Sequence, residues 1–147
     1  MNMADIRSTT VTPALLALLA NAGLPTADLR ERPDLRLFAT AIGGEPAGCV
    51  ALEVHDDIGL LRSLAVDPAL RGTGLGTGLL RYAEEQARQA GVDTLYLLTT
   101  TATAFFERNG YQRAERSEAP PAIAATTQFS GLCPASSDFM RKNLSPL

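Results

Sequence analysis

The sequence has no tryptophan, a single histidine and two cysteines, and each shortage closes off a class of function. With His55 the only imidazole, a dedicated zinc site has too few ligands, and no metal is expected. Cys49 and Cys133 form neither a C-x-x-C pair nor a disulfide ladder, which points to a reducing compartment, the cytoplasm. An excess of one charge is lacking too. The formal net charge is -3 with both signs interspersed, so there is no basic stripe for nucleic acid. Long apolar runs are also missing: the longest, PALLALLANAGL from Pro13 to Leu24, is too short to span a bilayer and is followed by a proline. It reads as an amphipathic or buried helix. Without a basic n-region and a cleavage-like site, no secretion signal is expected.

What is present suits one domain over residues 1–147, large enough to bury a core without staples. No repeat, low-complexity tract or internal linker interrupts it. Strand and helix signals alternate along the chain. Ile6 to Thr9 reads as a first strand. Thr12-Pro13 starts a helix, with threonine at the cap and proline at the first helical position. Pro25 closes it, and a short second helix is expected from Thr26 to Glu31. LRLFATAI (Leu35 to Ile42) and AGCVALEVH (Ala47 to His55) are strands joined through GGEP. Asp56-Asp57 then turns the chain into a strand from Gly59 to Val66. Leu75, Leu79, Leu80, Ala83 and Ala87 recur at helical spacing, predicting a helix from about Gly74 to Ala90, stopped by Gly91. DTLYLLT is a buried strand, TATAFFERNG a short helix and YQRAE another strand. PPAIAATTQF reads as a further short helix and SSDFMRKNL as a final strand. Strands come first as antiparallel neighbours, and the later strand, helix, strand unit should be parallel. The fold class is α/β: a mixed, mostly antiparallel sheet of about six or seven strands with helices on both faces.

The stretch LLRSLAVDPALRGTGLGTGLL, Leu60 to Leu80, carries the chemistry. A helix N-terminus leaves its first N–H groups unpaired and carries roughly half a positive charge, so it is a ready anion site. Gly72, Gly74 and Gly76 let a phosphate lie against the backbone without a Cβ in the way, and Arg71 adds a fixed charge. The pattern reads as a pyrophosphate cradle, although a glycine-rich turn also serves simple close packing. Neither the G-x-G-x-x-G dinucleotide fingerprint nor the G-K-[ST] of a P-loop is present.

Arg71-Gly72-Thr73-Gly74-Leu75-Gly76 instead spells R-x-x-G-x-G, preceded by LAVDPAL on a strand end. The segment resembles the acetyl-CoA signature of the GNAT N-acetyltransferase superfamily, [QR]-x-x-G-x-[GA]. LYLLTTTATAFFERNGYQRA resembles the later strand, helix, strand block of the same superfamily, and within it the amino-acid-acetylating, N-acetylglutamate-synthase-like branch. The tail FSGLCPASSDFMRKNL resembles ArsN-type acetyltransferases found with arsenic-resistance genes.

The resemblance implies an acetyl-CoA-dependent acyltransferase. The acceptor would be the amino group of a small amino acid or amino-acid-like toxin, glutamate-like or a phosphinic or arsenic analogue. It also implies that Leu64, Ala65 and Val66 pair through their backbone with the pantetheine arm. Arg71, Gly72, Thr73, Gly74, Leu75, Gly76 and Thr77 would hold the pyrophosphate. Phe105, Phe106 and Arg108 would flank the cofactor. A homodimer through the final strands is the family's habit. Two family features are missing. A glutamate often stands two residues before the position of Arg62, where this chain has Leu60, and the tyrosine that can protonate the leaving thiolate is replaced by Phe106. Tyr111 reads as core.

N-acetylation needs a neutral amine, so a proton acceptor is required. On the strand before Asp56, residues Cys49, Ala51, Glu53 and His55 share one face. If Asp56-Asp57 is a two-residue turn, Glu53 sits opposite Leu60, Ala51 opposite Arg62, and Glu53 and Arg62 are diagonal neighbours. One reading makes Glu53 the base, helped by His55 through water, and Arg62 a clamp for a substrate carboxylate. The other makes Glu53 and Arg62 a structural ion pair and His55 a solvated hairpin residue. Thr99, Thr100, Thr101, Ser130, Ser136 and Ser137 can supply hydroxyls to a polar substrate, or serve as strand and cap partners. Cys133 reads as a buried small thiol, because trivalent arsenic wants several thiolates. Two other functions fit the same cradle: an acyl-CoA-binding sensor without turnover and, with less support, a protein acetyltransferase.

Overall fold

The computed structural model describes residues 5–24, 26, 29, 35–126, 129 and 137–144. The expected second helix from Thr26 to Glu31 falls mostly outside these residues, as do Ser130, Cys133 and Ser136. Among the described residues, seven strands and four helices follow in the order β1 (Arg7–Ser8), α1 (Pro13–Asn21), β2 (Arg36–Ile42), β3 (Glu45–His55), β4 (Ile58–Val66), α2 (Leu75–Gln89), β5 (Thr94–Thr99), α3 (Thr103–Arg108), β6 (Gln112–Arg113), α4 (Pro121–Ala124) and β7 (Asp138–Asn143). No described helix is long and apolar enough to cross a membrane.

The strands make one mixed sheet in the order β1-β2-β3-β4-β5-β7-β6. β4 and β5 pair in parallel and every other neighbour is antiparallel. Alternation assigns the two faces. Val50, Leu52, Leu61, Leu95 and Leu97 pack with Leu75, Leu79, Leu80, Ala83 and Ala87 of α2. Cys49, Ala51 and Ala65 pack with Leu15, Leu18 and Leu19 of α1. Helices therefore cover both faces, as the sequence pattern anticipates.

Local chemistry sets the helix ends. Thr12 Oγ1 accepts from the Leu15 N–H at 3.2 Å, and Pro13 occupies the first helical position, where its missing N–H has no partner to lose. Helix α2 ends in a Schellman motif: Gly91 adopts φ 87°, and the Val92 and Gly91 N–H groups bond to the Ala87 and Arg88 carbonyls. Gly48 on β3 has a packing reason. A Cβ there would stand 2.7 Å from Leu79 Cδ1, so the bare backbone sets how closely α2 approaches the sheet.

Several boundaries differ from the sequence reading, and the strand expected over YQRAE shrinks to Gln112–Arg113. β1 is shorter than Ile6 to Thr9, because Ile6 turns into the core. The turn before β3 is Gly43-Gly44 alone, both with positive φ, so Glu45 and Pro46 already belong to the strand. Of the helix expected over PPAIAATTQF, Pro121–Ala124 form α4, and residues 127 and 128 lie outside the described residues.

Candidate functional site

The sheet opens at its middle. β4 and β5 are hydrogen-bonded only where Ile58, Gly59 and Leu60 meet Thr94, Leu95 and Tyr96. Beyond that point β5 stays on β7 as far as Thr99, whereas β4 turns aside. The cause is a bulge. Cys49 pairs with Ala65 and Ala51 with Arg62, so Ser63 and Leu64 together oppose Val50, and Ser63 takes a left-handed φ of 59°. From Leu61 to Val66, β4 has no strand partner on the β5 side among the described residues. That edge offers N–H and C=O groups to an extended ligand, as the edge of any sheet would.

The start of α2 lies at the wide end of this gap. A Cβ on Gly76 would touch Val66 Cγ2 at 3.6 Å and Phe105 Cζ at 3.7 Å, so the first turn of α2 sits between the end of β4 and α3. The helix begins after Gly74, at φ 87°, with no side-chain cap, and its first intrahelical bond is from Gly78 N–H to the Gly74 carbonyl at 3.0 Å. The N–H groups of Leu75, Gly76 and Thr77 precede that bond and point out of the helix end. Nothing lies within 4 Å of where a Cβ on Gly72 or Gly74 would stand, and Arg71, Thr73 and Thr77 are exposed around the opening. Thr73 Oγ1 donates to the Leu70 carbonyl at 2.6 Å, and Asp67 accepts from the Ala69 N–H at 3.0 Å, which stiffens the loop. The geometry fits a diphosphate on the helix end with an extended arm along β4.

On the α1 side of the sheet, a polar strip separates two apolar patches. One patch is Cys49, Ala51 and Ala65 beneath α1, and the other is Leu60, Tyr96, Phe139 and Ile123. In the strip, Arg62 Nη1 donates to Glu53 Oε2 at 3.1 Å, and His55 Nε2 lies 3.3 Å from Glu53 Oε1. The register is the expected one: Glu53 opposes Leu60 and Ala51 opposes Arg62. Glu53 and Arg62 side chains are 1% and 2% exposed, whereas His55 keeps 26%. The imidazole therefore links a buried carboxylate to solvent. Cys49 shares this face, but burial pushes its thiol up to about 12 and its Sγ donates to the Ser63 carbonyl at 3.3 Å. It stays protonated and serves as packing.

Not every candidate residue reaches the gap. Phe105 does, but Phe106 is 5% exposed and packs edge-to-face with Phe105 and Tyr111. It belongs to the core rather than to the rim. Thr99 Oγ1 accepts from the Ala102 N–H at 3.0 Å, so this hydroxyl holds the loop into α3 instead of facing a substrate. Thr100 and Arg108 are exposed. Tyr111 is core, as expected. Its hydroxyl donates to Glu84 at 2.9 Å, and burial and the Glu84 charge push its pKa up. It is not a proton donor for the gap. Sequence reasoning missed Ser63, because a left-handed residue inside an apolar strand leaves no signal in composition or spacing.

A family model for the acetyltransferase (GNAT) family matches residues 10–111. Among curated relatives, the amino-acid acetyltransferase of Pseudomonas paraeruginosa is 37% identical over 83 residues, 55% of this chain and 19% of that protein. The amino-acid acetyltransferase of Pasteurella multocida is 31% identical over 125 residues, 78% of this chain and 28% of that protein. Among solved structures, N-acetylglutamate synthase from Neisseria gonorrhoeae, complexed with coenzyme A and N-acetyl-glutamate, has a TM-score of 0.76 at 22% identity, covering 96% of this chain and 35% of that one. The chain thus spans about a third or less of the length of these proteins.

Proposed function

Because the chain belongs to the acetyltransferase (GNAT) family, we propose that it transfers the acetyl group of acetyl-CoA to the amino group of a small amino acid or amino-acid-like compound. The observation that carries this reading is the splayed β4–β5 gap with the bare first turn of α2 at its wide end. Acetyl-CoA is consumed as a substrate here and supplies an activated thioester. Arg71 and the N–H groups of Leu75, Gly76 and Thr77 hold its diphosphate. The β4 edge at Leu64, Ala65 and Val66 pairs with its pantetheine arm, which aims the thioester at the strip of Glu53, His55 and Arg62.

Glu53 takes the proton of the acceptor ammonium, and His55, in contact with both Glu53 and solvent, carries it out. Arg62 holds Glu53 in place, and its positive charge complements a substrate carboxylate. The names of the curated relatives support an α-amino acid. The N-acetyl-glutamate bound by the Neisseria protein supports an acidic one, such as glutamate or a phosphinic or arsenic analogue. The test is acetyl-CoA-dependent thiol release with a panel of amino acids, these analogues, a polyamine and a lysine peptide. Release with one acidic amino acid is the expected result. Release with the peptide alone would replace the reading by a protein acetyltransferase, and binding without release would leave a sensor.

The cradle gives its own expectation. Gly74→Ala forces a side chain into the left-handed region, at a cost of roughly 1–2 kcal/mol, which lowers Tm by about 2–8 °C and weakens coenzyme A. Gly23→Ala, at φ 73° with nothing nearby, is the control. It loses stability alone. Calorimetry and a coenzyme A titration on both variants check this.

A further inference from the structure

We propose that Asn109 is a positioning residue for coenzyme A: it holds Phe105 against the first turn of α2 and so shapes the passage in which the cofactor lies. This rests on the function proposed above. Helix α3 has six residues, too few to keep its direction by its own hydrogen bonds, so its neighbours fix where Phe105 stands. At its start they do so through Thr103 Oγ1, which donates to Asp138 Oδ2 of β7 at 2.5 Å. At its end they do so through Asn109.

The Asn109 N–H, the usual helical partner of the Phe105 carbonyl, bonds to the Phe106 carbonyl at 3.0 Å instead. The side chain takes over. Asn109 Nδ2 donates to the Phe105 carbonyl at 2.8 Å, while Oδ1 accepts from Arg81 Nη2 of α2 at 3.2 Å. The Asn109 carbonyl accepts from Lys142 Nζ of β7 at 3.1 Å. Asn109 is 9% exposed, so these bonds are shielded from water. An amide suits both ends, because a carbonyl needs a donor and a guanidinium an acceptor; an aspartate offers no donor and a leucine offers neither. The carbonyl held in this way belongs to the phenylalanine at the opening. The Phe105 ring comes within 3.7 Å of where a Cβ on Gly76 would stand, beside Val66 at the end of β4. Phe105 thus stands where the diphosphate site on α2 meets the free edge of β4, and a shift of its ring alters the passage for the pantetheine arm. Phe105 packs on the α2 side of the sheet, whereas Glu53 and Arg62 lie on the α1 side, so the effect falls on cofactor binding and not on the chemical step.

The experiment titrates coenzyme A by calorimetry into the wild type, Asn109→Leu, Asn109→Ala, Phe105→Leu and the double variant that joins Phe105→Leu to Asn109→Leu, with Tm measured for each. Both Asn109 variants are expected to weaken coenzyme A by about tenfold. Phe105→Leu should weaken it too, and adding Asn109→Leu should cost nothing further, since a residue that acts through Phe105 then has nothing left to hold. Where an acceptor turns over, KM for acetyl-CoA should rise while kcat stays within about twofold. Gly91→Ala, at φ 87° with nothing nearby, loses stability at the far end of α2 and should bind coenzyme A as the wild type does, which separates the affinity loss from general destabilisation. Unchanged affinity in the Asn109 variants, whatever their Tm, would overturn the proposal. So would full affinity in Phe105→Leu, or losses that add in the double variant. If Asn109→Leu does not fold, Asn109→Ala decides by the same measurement. Failure of the wild type to bind coenzyme A would instead remove the functional reading and this proposal with it.

Discussion

Replacing Glu53 by glutamine is expected to lower the acetyl-transfer rate by about 10²- to 10⁴-fold while coenzyme A still binds. The amide keeps the volume and can still accept from Arg62 Nη1, now 3.1 Å from Oε2, but it cannot take a proton from an ammonium. The fall should appear in kcat, and it should shrink at high pH, where more of the amine arrives already neutral. Glu53→Ala goes further. It leaves the Arg62 guanidinium, 2% exposed, without its carboxylate, and breaking a buried pair this way costs about 3–5 kcal/mol. The two variants separate the roles: a slow but stable Gln variant identifies a base, whereas a Gln variant at full speed with an unstable Ala variant identifies a structural ion pair. Steady-state kinetics, a coenzyme A titration and calorimetry on both decide between them.

A comparably large loss of stability is expected from Glu84→Leu, with Tm falling by about 10 °C. Glu84, on α2, is 1% exposed and collects three donors: Arg81 Nη1 at 2.9 Å, the Tyr111 hydroxyl at 2.9 Å and Lys142 Nζ at 3.0 Å. The lysine also donates to the Asn109 carbonyl at 3.1 Å and stands over the Tyr111 ring. Arg81 reaches Asn109 Oδ1, whose amide in turn donates to the Phe105 carbonyl at 2.8 Å. One carboxylate thus ties α2 to the end of α3 and to β7. Its removal leaves an ammonium and a phenol facing an apolar gap, at roughly 3–5 kcal/mol for the unpaired charge. Adding Lys142→Met to the variant should restore part of the loss, because the pair is then replaced by packing. Thermal unfolding of the single and double variants tests this, and equal Tm values for Glu84→Leu and the wild type would show the network to be idle.

Much of this site is legible in one dimension. The spacing of Asp56-Asp57 between two apolar strands is enough to put Glu53 opposite Leu60 and diagonal to Arg62, because side chains alternate with a period of two and a tight turn leaves one register. The R-x-x-G-x-G run at the start of α2 is legible for a similar reason: left-handed and cap positions are local demands that glycine meets. Residue roles that depend on distant partners were not. Adjacent phenylalanines in a short helix look alike, but helical geometry sends Phe106 to the core and leaves Phe105 by Gly76. Thr99 could have faced a ligand, yet the nearest open donor was the Ala102 N–H.

By itself, then, the sequence determined the order of strands and helices, the pairing of the β3–β4 hairpin, the glycine-rich start of α2 and the family likeness. All of these rest on period, caps and turn residues within a few positions. The tertiary structure alone decided that β4 parts from β5, since that follows from an extra residue at Ser63 that the facing strand does not match. It alone decided that Glu84 would be held by a lysine 58 residues away. Both depend on which segments meet across the sheet, and long-range packing leaves no periodic trace in the chain that produces it.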